Sequence, residues 1–421
     1  MTVQRTSDHM RNLWGECQFK WLLADGLKLA APQATTIPLA MGSAWHRLMD
    51  VWWAGDVSDG HRFKPDCLNF RESNARWALA DWYHVQKAKL DGFSTDAQPA
   101  FDADSLLESM VLLYDMLKAY TQQWSSSLWD VVATELSVER YLPTPSGHRS
   151  QILDEVRLDK LVRDTSGQHW LVEHKTTQDD LNTWIEHNTY RPQAAAYASA
   201  IEDHLGIQVA GVIYDLARKS RAHTPDTWDV LKSGKALAKP KSGKAPSTLT
   251  AHEFENILAF HGFPLDGEGS QDWYRPVLEQ CQRREAAHGH PRVRRHIYRF
   301  APGETQLVAL EQYAMGVDIR RARKLLDRPT QSTLYHLRRK LDVATDPDEV
   351  ADIQQQWATA AATEVKRIGH LFPRCQASCW KWSRPCIYMD ACQFRSVESM
   401  SGLRLRHSRP EETADESDGD V

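Results

Sequence analysis

Three charged residues carry a chemical possibility that the rest of the chain has to explain: Asp159 and, fourteen residues later, Glu173 and Lys175 on either side of His174. Two carboxylates beside an ammonium suit a hydrolytic metal site. Hard oxygen ligands favour Mg²⁺ or Mn²⁺, such an ion lowers the pKa of a bound water and offsets charge on a phosphate, and a lysine can orient the water. The groups converge only if neighbouring strands carry them. Residues 151–164 (QILDEVRLDKLVRD) and 168–175 (QHWLVEHK) both read as extended, with a turn signal at Asp164-Thr-Ser-Gly167 between them. Side chains alternate along a strand, so Glu173 and Lys175 share one face and His174 points to the other. By itself this pattern fits a solvated strand face with a cross-strand ion pair equally well. The apolar run Trp170, Leu171, Val172 favours an inner strand whose charges sit in a cleft at the strand end.

The surrounding elements are read from periodicity. Residues 7–31, 41–53 (carrying His46), 70–90 and 104–126 have helical spacing. Trp129 to Leu142 alternates as a strand, 190–204 is helical, and Val209 to Ala217 is a buried strand. Mostly helical segments follow at 251–290 and 304–368. Helices, then a hairpin-rich sheet, then a crossover helix into a further strand predict a mixed α/β core with helical additions.

The stretch LDKLVRDTSGQHWLVEHKTT resembles the RecB-like branch of the PD-(D/E)XK nucleases. There an Asp follows a hydrophobic strand, and after a turn an apolar strand ends in (D/E)-x-K-T. Asp159, Glu173 and Lys175 sit where that family places its catalytic triad, followed by Thr176. The branch also has a His in a G-x-x-x-H helix, matched by Gly42-Ser-Ala-Trp-His46, and a Q-x-x-x-Y pair, matched by Gln193-Ala-Ala-Ala-Tyr197. Gln193 and Tyr197 are i, i+4 and share one helix face. Arg157 departs from the Gly common two residues before the Asp. Taken singly, His46 reads as a core histidine, Gln193 and Tyr197 as helix-surface residues, and Glu135 equally as a recurrent acidic position or a structural ion pair; the order His46, Asp159, Glu173-x-Lys175, Gln193-x-x-x-Tyr197 makes the pattern specific. The resemblance implies an α/β, restriction-endonuclease-like mixed β-sheet core flanked by helices. It implies Asp159, Glu173 and His46 as ligands of Mg²⁺ or Mn²⁺, Lys175 positioning the attacking water, and Gln193 and Tyr197 orienting the substrate strand or the lysine. Such proteins hydrolyse DNA, mostly as exonucleases on single strands or ends, in repair, recombination, CRISPR adaptation or phage DNA metabolism. The alternative is a non-catalytic DNA-end-binding scaffold, against which the intact triad speaks. No G-x-x-x-x-G-K-[ST] motor motif is present, so a helicase or recombination protein is the expected partner.

Four of the seven cysteines (Cys375, Cys379, Cys386, Cys392) fall within eighteen residues, and Cys17 lies near the other end of the chain. In a reducing compartment such clustering points to a metal or cluster site. Spacing leaves the fourth ligand open. The cluster-bearing RecB-like and AddB-like nucleases use one Cys in an N-terminal C-P-x-[KR]-[FY] segment, resembled by Cys17-Gln-Phe-Lys-Trp21, and three near the C-terminus. That resemblance implies a [4Fe–4S] cluster on Cys17, Cys379, Cys386 and Cys392, with Zn²⁺ as the alternative and Cys375 as a substitute for Cys379. Its role would be a staple.

Composition (421 residues, 42% apolar, 25% charged) fits a soluble globular protein, and no apolar run approaches the ~20 residues of a membrane helix. With no secretory h-region in MTVQRTSDHMRNLW, a cytoplasmic location is expected. The net charge of −5 is carried by 408–421, with one Arg against six acids. Between Arg218 and Lys244 eight Lys or Arg face two Asp. Lys232, Lys235, Lys239, Lys241 and Lys244 among Gly, Ser and Pro read either as a mobile DNA-wrapping loop or as a solvated insertion. Arg292, Arg294, Arg295 and Arg299 suggest a strand edge near phosphates, and Arg320, Arg321, Arg323 and Lys324 a solvated helix face. The expected organisation is one nuclease domain over 1–406, with N-terminal helices (1–128), catalytic core (129–217), basic insertion (218–250) and helical, Cys-rich region (251–406), then an acidic disordered tail (407–421).

Overall fold

The computed structural model describes residues 4–30, 37–54, 68–91, 101–124, 129–188, 192–232, 236–263, 273–326, 328–372, 380–381, 384–385, 388, 391–392, 400 and 403–405. Strand β1 (Gln4–Ser7), helices α1 (Asp8–Glu16) and α2 (Gln18–Trp21), a π-turn (Leu22–Gly26) and β2 (Leu29–Ala30) come first. Helices α3 (Ile37–Ala54), α4 (Leu68–Leu90) and α5 (Ala103–Gln123) precede strands β3 (Asp130–Pro143), β4 (Arg149–Arg163) and β5 (His169–Thr177). Then come α6 (Leu181–Asn188), α7 (Pro192–Leu205), β6 (Val209–Arg218), α8 (Ala251–Phe260), α9 (Tyr274–His288) and β7 (Val293–Arg299). Helices α10 (Glu304–Arg323), α11 (Arg328–Val343) and α12 (Pro347–Ile368) and the short strands β8 (Trp380–Lys381), β9 (Arg384–Pro385) and β10 (Arg404–Leu405) complete the chain.

A six-stranded mixed sheet runs in the order β1-β4-β5-β6-β7, with β3 on β4. The α/β core of a mixed sheet flanked by helices is therefore present, as in a restriction-endonuclease-like fold. β4 and β5 form the antiparallel hairpin, β5 and β6 are parallel across the α6–α7 connection, and β7 is antiparallel to β6. The hairpin turn follows from its residues. The Asp164 carboxylate accepts the N–H of Ser166 and of Gln168, both at 2.9 Å, while Gly167 takes φ 84°. Gly211 of β6 is required by close approach: a Cβ there would lie 2.1 Å from the Tyr298 carbonyl and 2.9 Å from the Trp170 ring.

The residues fall into two compact units. The unit of Ala34–Leu136 and Arg157–Pro302 packs α3, α4 and α5 through Trp45, Trp52, Leu79, Trp82, Leu113 and Met116. It also holds a separate small core of Trp228, Leu237, Leu249, Phe254, Ile257, Tyr274 and Cys281. This corrects the mobile-loop reading of the basic insertion. Its described part is anchored by Trp228, Leu237 and Leu249, and Val230 bridges to Leu237. Lys232, Lys239, Lys241 and Lys244 remain exposed on it, and Lys235 lies outside the described residues.

The other unit comprises Met1–Gln33, Ser137–Val156 and Gly303–Val421. The single helix expected over 7–31 is broken at Cys17, whose extended backbone (φ −168°, ψ 115°) closes α1 and opens α2. Phe19, Trp21, Leu22 and Leu23 are all buried. All four lie beyond the break and, at about 100° per residue, spread over more than half of a helix's circumference, so this segment is enclosed by the core on several sides. Trp357 and Tyr388 donate to the carbonyls of Leu27 and Leu29 (2.8 and 3.0 Å), and β10 pairs with β2. The solvated-face reading of 320–324 fails for two residues. Arg323 binds the buried Asp25 at 3.0 Å and Arg320 donates to Gln151, while Arg321 is exposed.

Candidate active site

Lys160 lies opposite Val172 in the β4–β5 ladder, so one step along Asp159 lies opposite Glu173. The Asp159 Oδ2 accepts the backbone N–H of His174 at 2.8 Å. Helix α3 brings His46 to the same carboxylate, Nδ1 to Oδ1 at 3.3 Å. Lys175 donates its Nζ to Glu173 Oε2 at 2.7 Å. The four groups sought in the sequence thus form two bonded pairs, His46 of α3 with Asp159 of β4, and Lys175 with Glu173 on β5. Glu173 is only 3% exposed, and its Oε1 has no hydrogen-bond partner among the described residues.

The electrostatics follow from burial set against these pairs. Burial raises the Glu173 carboxyl and, despite the opposing Lys175 charge, leaves it above the ordinary range, with Asp159 adding to the rise. Burial also raises Asp159, but the hydrogen bond and charge of His46, with Lys175 behind them, pull it below the ordinary range. Burial lowers the His46 imidazole, and the bond and charge of Asp159 outweigh it, so His46 lies above the usual 6.5. The two adjacent carboxylates are thus pushed apart in pKa, one by burial and the other by its imidazole partner.

The remaining expected residues are placed as follows. Gln193 and Tyr197 lie one turn apart on α7 and bond to each other, Gln193 Nε2 donating to Tyr197 Oη at 2.7 Å. Arg157, the departure from the family pattern, pairs with Glu135 at 2.7 Å, so that acid is held in an ion pair on the strand before the hairpin. Cys17 is buried in an apolar cluster against which Cys392 also packs; Cys375, Cys379 and Cys386 lie outside the described residues.

A second charged cluster, on the other face of the same strands, was not anticipated. His174, Asp215 and Arg295 stand side by side on β5, β6 and β7. Lys160 Nζ is 3.0 Å from His174 Nε2 and 3.9 Å from the centre of the Trp53 ring. Tyr120 donates to Asp215 and accepts from the Trp53 indole at 3.0 Å, while Arg295 stacks on Trp124 and Trp129. Burial, then neighbouring positive charge, drives His174 well below its usual pKa, and burial does the same to Lys160. The available signal was a charged residue at an alternate position of an apolar strand, as in Leu158-Asp159-Lys160-Leu161.

Among the described residues, no group of three or more His, Cys, Asp or Glu side chains is gathered closely enough to cage an ion. Lys175 and His46 hold the carboxylates instead. The donor set nevertheless fits a hard divalent cation: two carboxylates and an imidazole, one carboxylate with a buried oxygen that lacks a partner. Such an oxygen is costly when left unsatisfied. No helix among the described residues is long and apolar enough to cross a membrane. The sequence matches the family model of the PD-(D/E)XK nuclease superfamily over residues 12–393. No curated protein matches it.

Proposed function

The chain belongs to the PD-(D/E)XK nuclease superfamily, and from that premise we propose that it is an exonuclease of the RecB-like branch, acting on DNA ends in recombination, repair, or phage or CRISPR DNA processing. Membership makes it a metal-dependent phosphodiester hydrolase with DNA as its substrate class and Mg²⁺ or Mn²⁺ as the ions the family uses. The observation that carries the assignment of residues is the convergence of His46, Asp159, Glu173 and Lys175, with Glu173 Oε1 buried and unpartnered. Asp159, Glu173 and His46 would hold the ion. Bound there, it supplies positive charge at the scissile phosphate and a water of lowered pKa. The His174 backbone N–H fixes the Asp159 carboxylate. Lys175 orients the nucleophilic water, and its bond to Glu173 aims its ammonium into the site. Gln193 and Tyr197 brace each other on α7 and orient the substrate strand. Lys232, Lys239, Lys241 and Lys244, exposed on a packed segment, meet the phosphate backbone together with Lys235.

The proposed cysteine centre is a structural staple, with Cys17, Cys379, Cys386 and Cys392 as ligands of a [4Fe–4S] cluster. Its support is that Cys17 and Cys392 meet at one apolar core built from both ends of the sequence. Anaerobically purified protein should contain stoichiometric iron and acid-labile sulfide; stoichiometric zinc without iron would replace the cluster with a zinc staple.

The test of the nuclease assignment is digestion of labelled single- and double-stranded DNA, linear and circular, with Mg²⁺ or Mn²⁺. Linear DNA should be degraded and circles spared. Lys175→Ala should slow degradation by about two to three orders of magnitude, the usual effect of losing one preorganised charged donor. Equal digestion by Lys175→Ala would remove the lysine's role, and cleavage of circles would make the enzyme an endonuclease.

A further inference from the structure

The arginines of β7 and the residue before it differ in what neutralises them. Arg292 binds Glu253 at 2.6 Å and Arg295 lies 3.5 Å from Asp215. Arg299 is exposed and lies over Trp170. Arg294 is half-buried, its guanidinium donates to the neutral side-chain carbonyl of Asn182, and its Nε is buried without a hydrogen-bond partner among the described residues. Asp180, whose charge reaches Arg294, is engaged by Arg218 at 3.5 Å. A guanidinium stays charged at physiological pH, so Arg294 is a fixed, partly desolvated cation with no carboxylate in ion-pair range among the described residues. An incoming anion would relieve that cost.

The register says where such an anion would lie. Lys175 pairs with Leu216, and Leu216 with Arg294, across three adjacent strands. Lys175 and Arg294 therefore project from the same face, two strands apart, roughly 10 Å at about 4.8 Å per strand. In the neighbouring row Glu173 aligns with Tyr214 and His296. β7 ends the sheet order, so this row runs from the candidate catalytic lysine to the sheet edge.

We propose that Arg294 is a substrate-binding residue that grips a phosphate of the bound DNA strand next to the site of cleavage, roughly 10 Å from the reacting centre at about 4.8 Å per strand. Asn182 takes one N–H of Nη1 and Nε is buried, so the end-on pair of Nη1 and Nη2 is the fork left for the phosphate. The proposal rests on the nuclease reading and extends it to one contact outside the reacting centre.

The experiment measures binding of labelled DNA over a range of salt concentrations without divalent metal, for the parent, Arg294→Gln and Arg294→Lys, with metal-dependent cleavage of the parent as control. Losing one phosphate contact should weaken binding several-fold, equally for unrelated sequences, and make the log–log salt slope shallower by about 0.7 to 0.9. Arg294→Lys should keep the slope and lose part of the affinity. A folded Arg294→Gln with parental affinity and slope, in a protein that cuts DNA, overturns this proposal alone. A parent that neither binds nor cuts DNA removes the nuclease reading and this contact together. Should Arg294→Gln not fold, Arg294→Lys decides: reduced affinity supports the fork contact, and parental affinity overturns it.

Discussion

Strands β4 and β5 carry charge on both faces, one residue apart, and the two faces treat it in opposite ways. Asp159, Glu173 and Lys175 face one side, with the Asp159 side chain 17% and the Lys175 side chain 23% exposed and one Glu173 oxygen unpartnered. Lys160 and His174 face the other, where Asp215, Tyr120 and Arg295 are bonded or paired around them and Trp53, Trp124 and Trp129 enclose the group. Both faces hold ionisable groups with displaced pKa values, so displacement alone does not separate them. Solvent access does: the Asp159 and Lys175 side chains reach the surface, whereas those of Lys160, His174 and Asp215 are buried. The reverse face is walled by indole rings, over which the Lys160 and Arg295 cations already lie.

That contrast can be tested by exchanging its terms. The largest effect is expected from Glu173→Gln, which should cut metal-dependent cleavage by two to three orders of magnitude, several kcal/mol of transition-state stabilisation, with little change in thermal stability. Asp215→Ala should do the reverse. It strands Arg295 and Tyr120 in the interior and should cost about 3–5 kcal/mol of folding stability, while the variant still cuts DNA well below its melting temperature. Denaturant titration and a cleavage assay on the two variants check both statements. A stable Asp215→Ala protein that has lost turnover would make the reverse face part of the mechanism.

A smaller effect separates the faces by pH in metal-free protein. His46 has a folded pKa above its unfolded value, so its bond to Asp159 stabilises fully below the unfolded value and is lost as pH rises through the folded one. Asp159 is lowered, so its share is present above the usual carboxylate range and is lost as pH falls through its folded value. Stability from this pair should therefore fade on the alkaline side of 6.5, and His46→Asn should flatten that part of the melting-temperature profile. A profile unchanged by His46→Asn would show that the pair contributes nothing in solution.

The legible part of this molecule lay where local rules and tertiary needs agree. The alternation in residues 169–175 placed Glu173 and Lys175 on one face and His174 on the other, and the Asp164–Gly167 turn set the hairpin that brings Asp159 alongside. Periodicity found α3, α4 and α5 to within a few residues. β1 escaped notice because Gln-Arg-Thr-Ser has no apolar period and becomes a strand only through its parallel pairing with β4. The break at Cys17 escaped because apolar residues at helical spacing continue across it, Leu13 and Trp14 before and Trp21 and Leu22 after. The basic insertion misled because its Lys, Gly and Pro content hid Trp228, Leu237 and Leu249 as anchors.

The sequence by itself determined which side chains share a strand face, since a period of two is a property of the backbone. Which of the two charged faces is sealed and which is left open was decided only by the tertiary structure. The tryptophans that close one face arrive from α3, the residue after α5 and the residue before β3, dozens of residues away, and no local rule carries their destination.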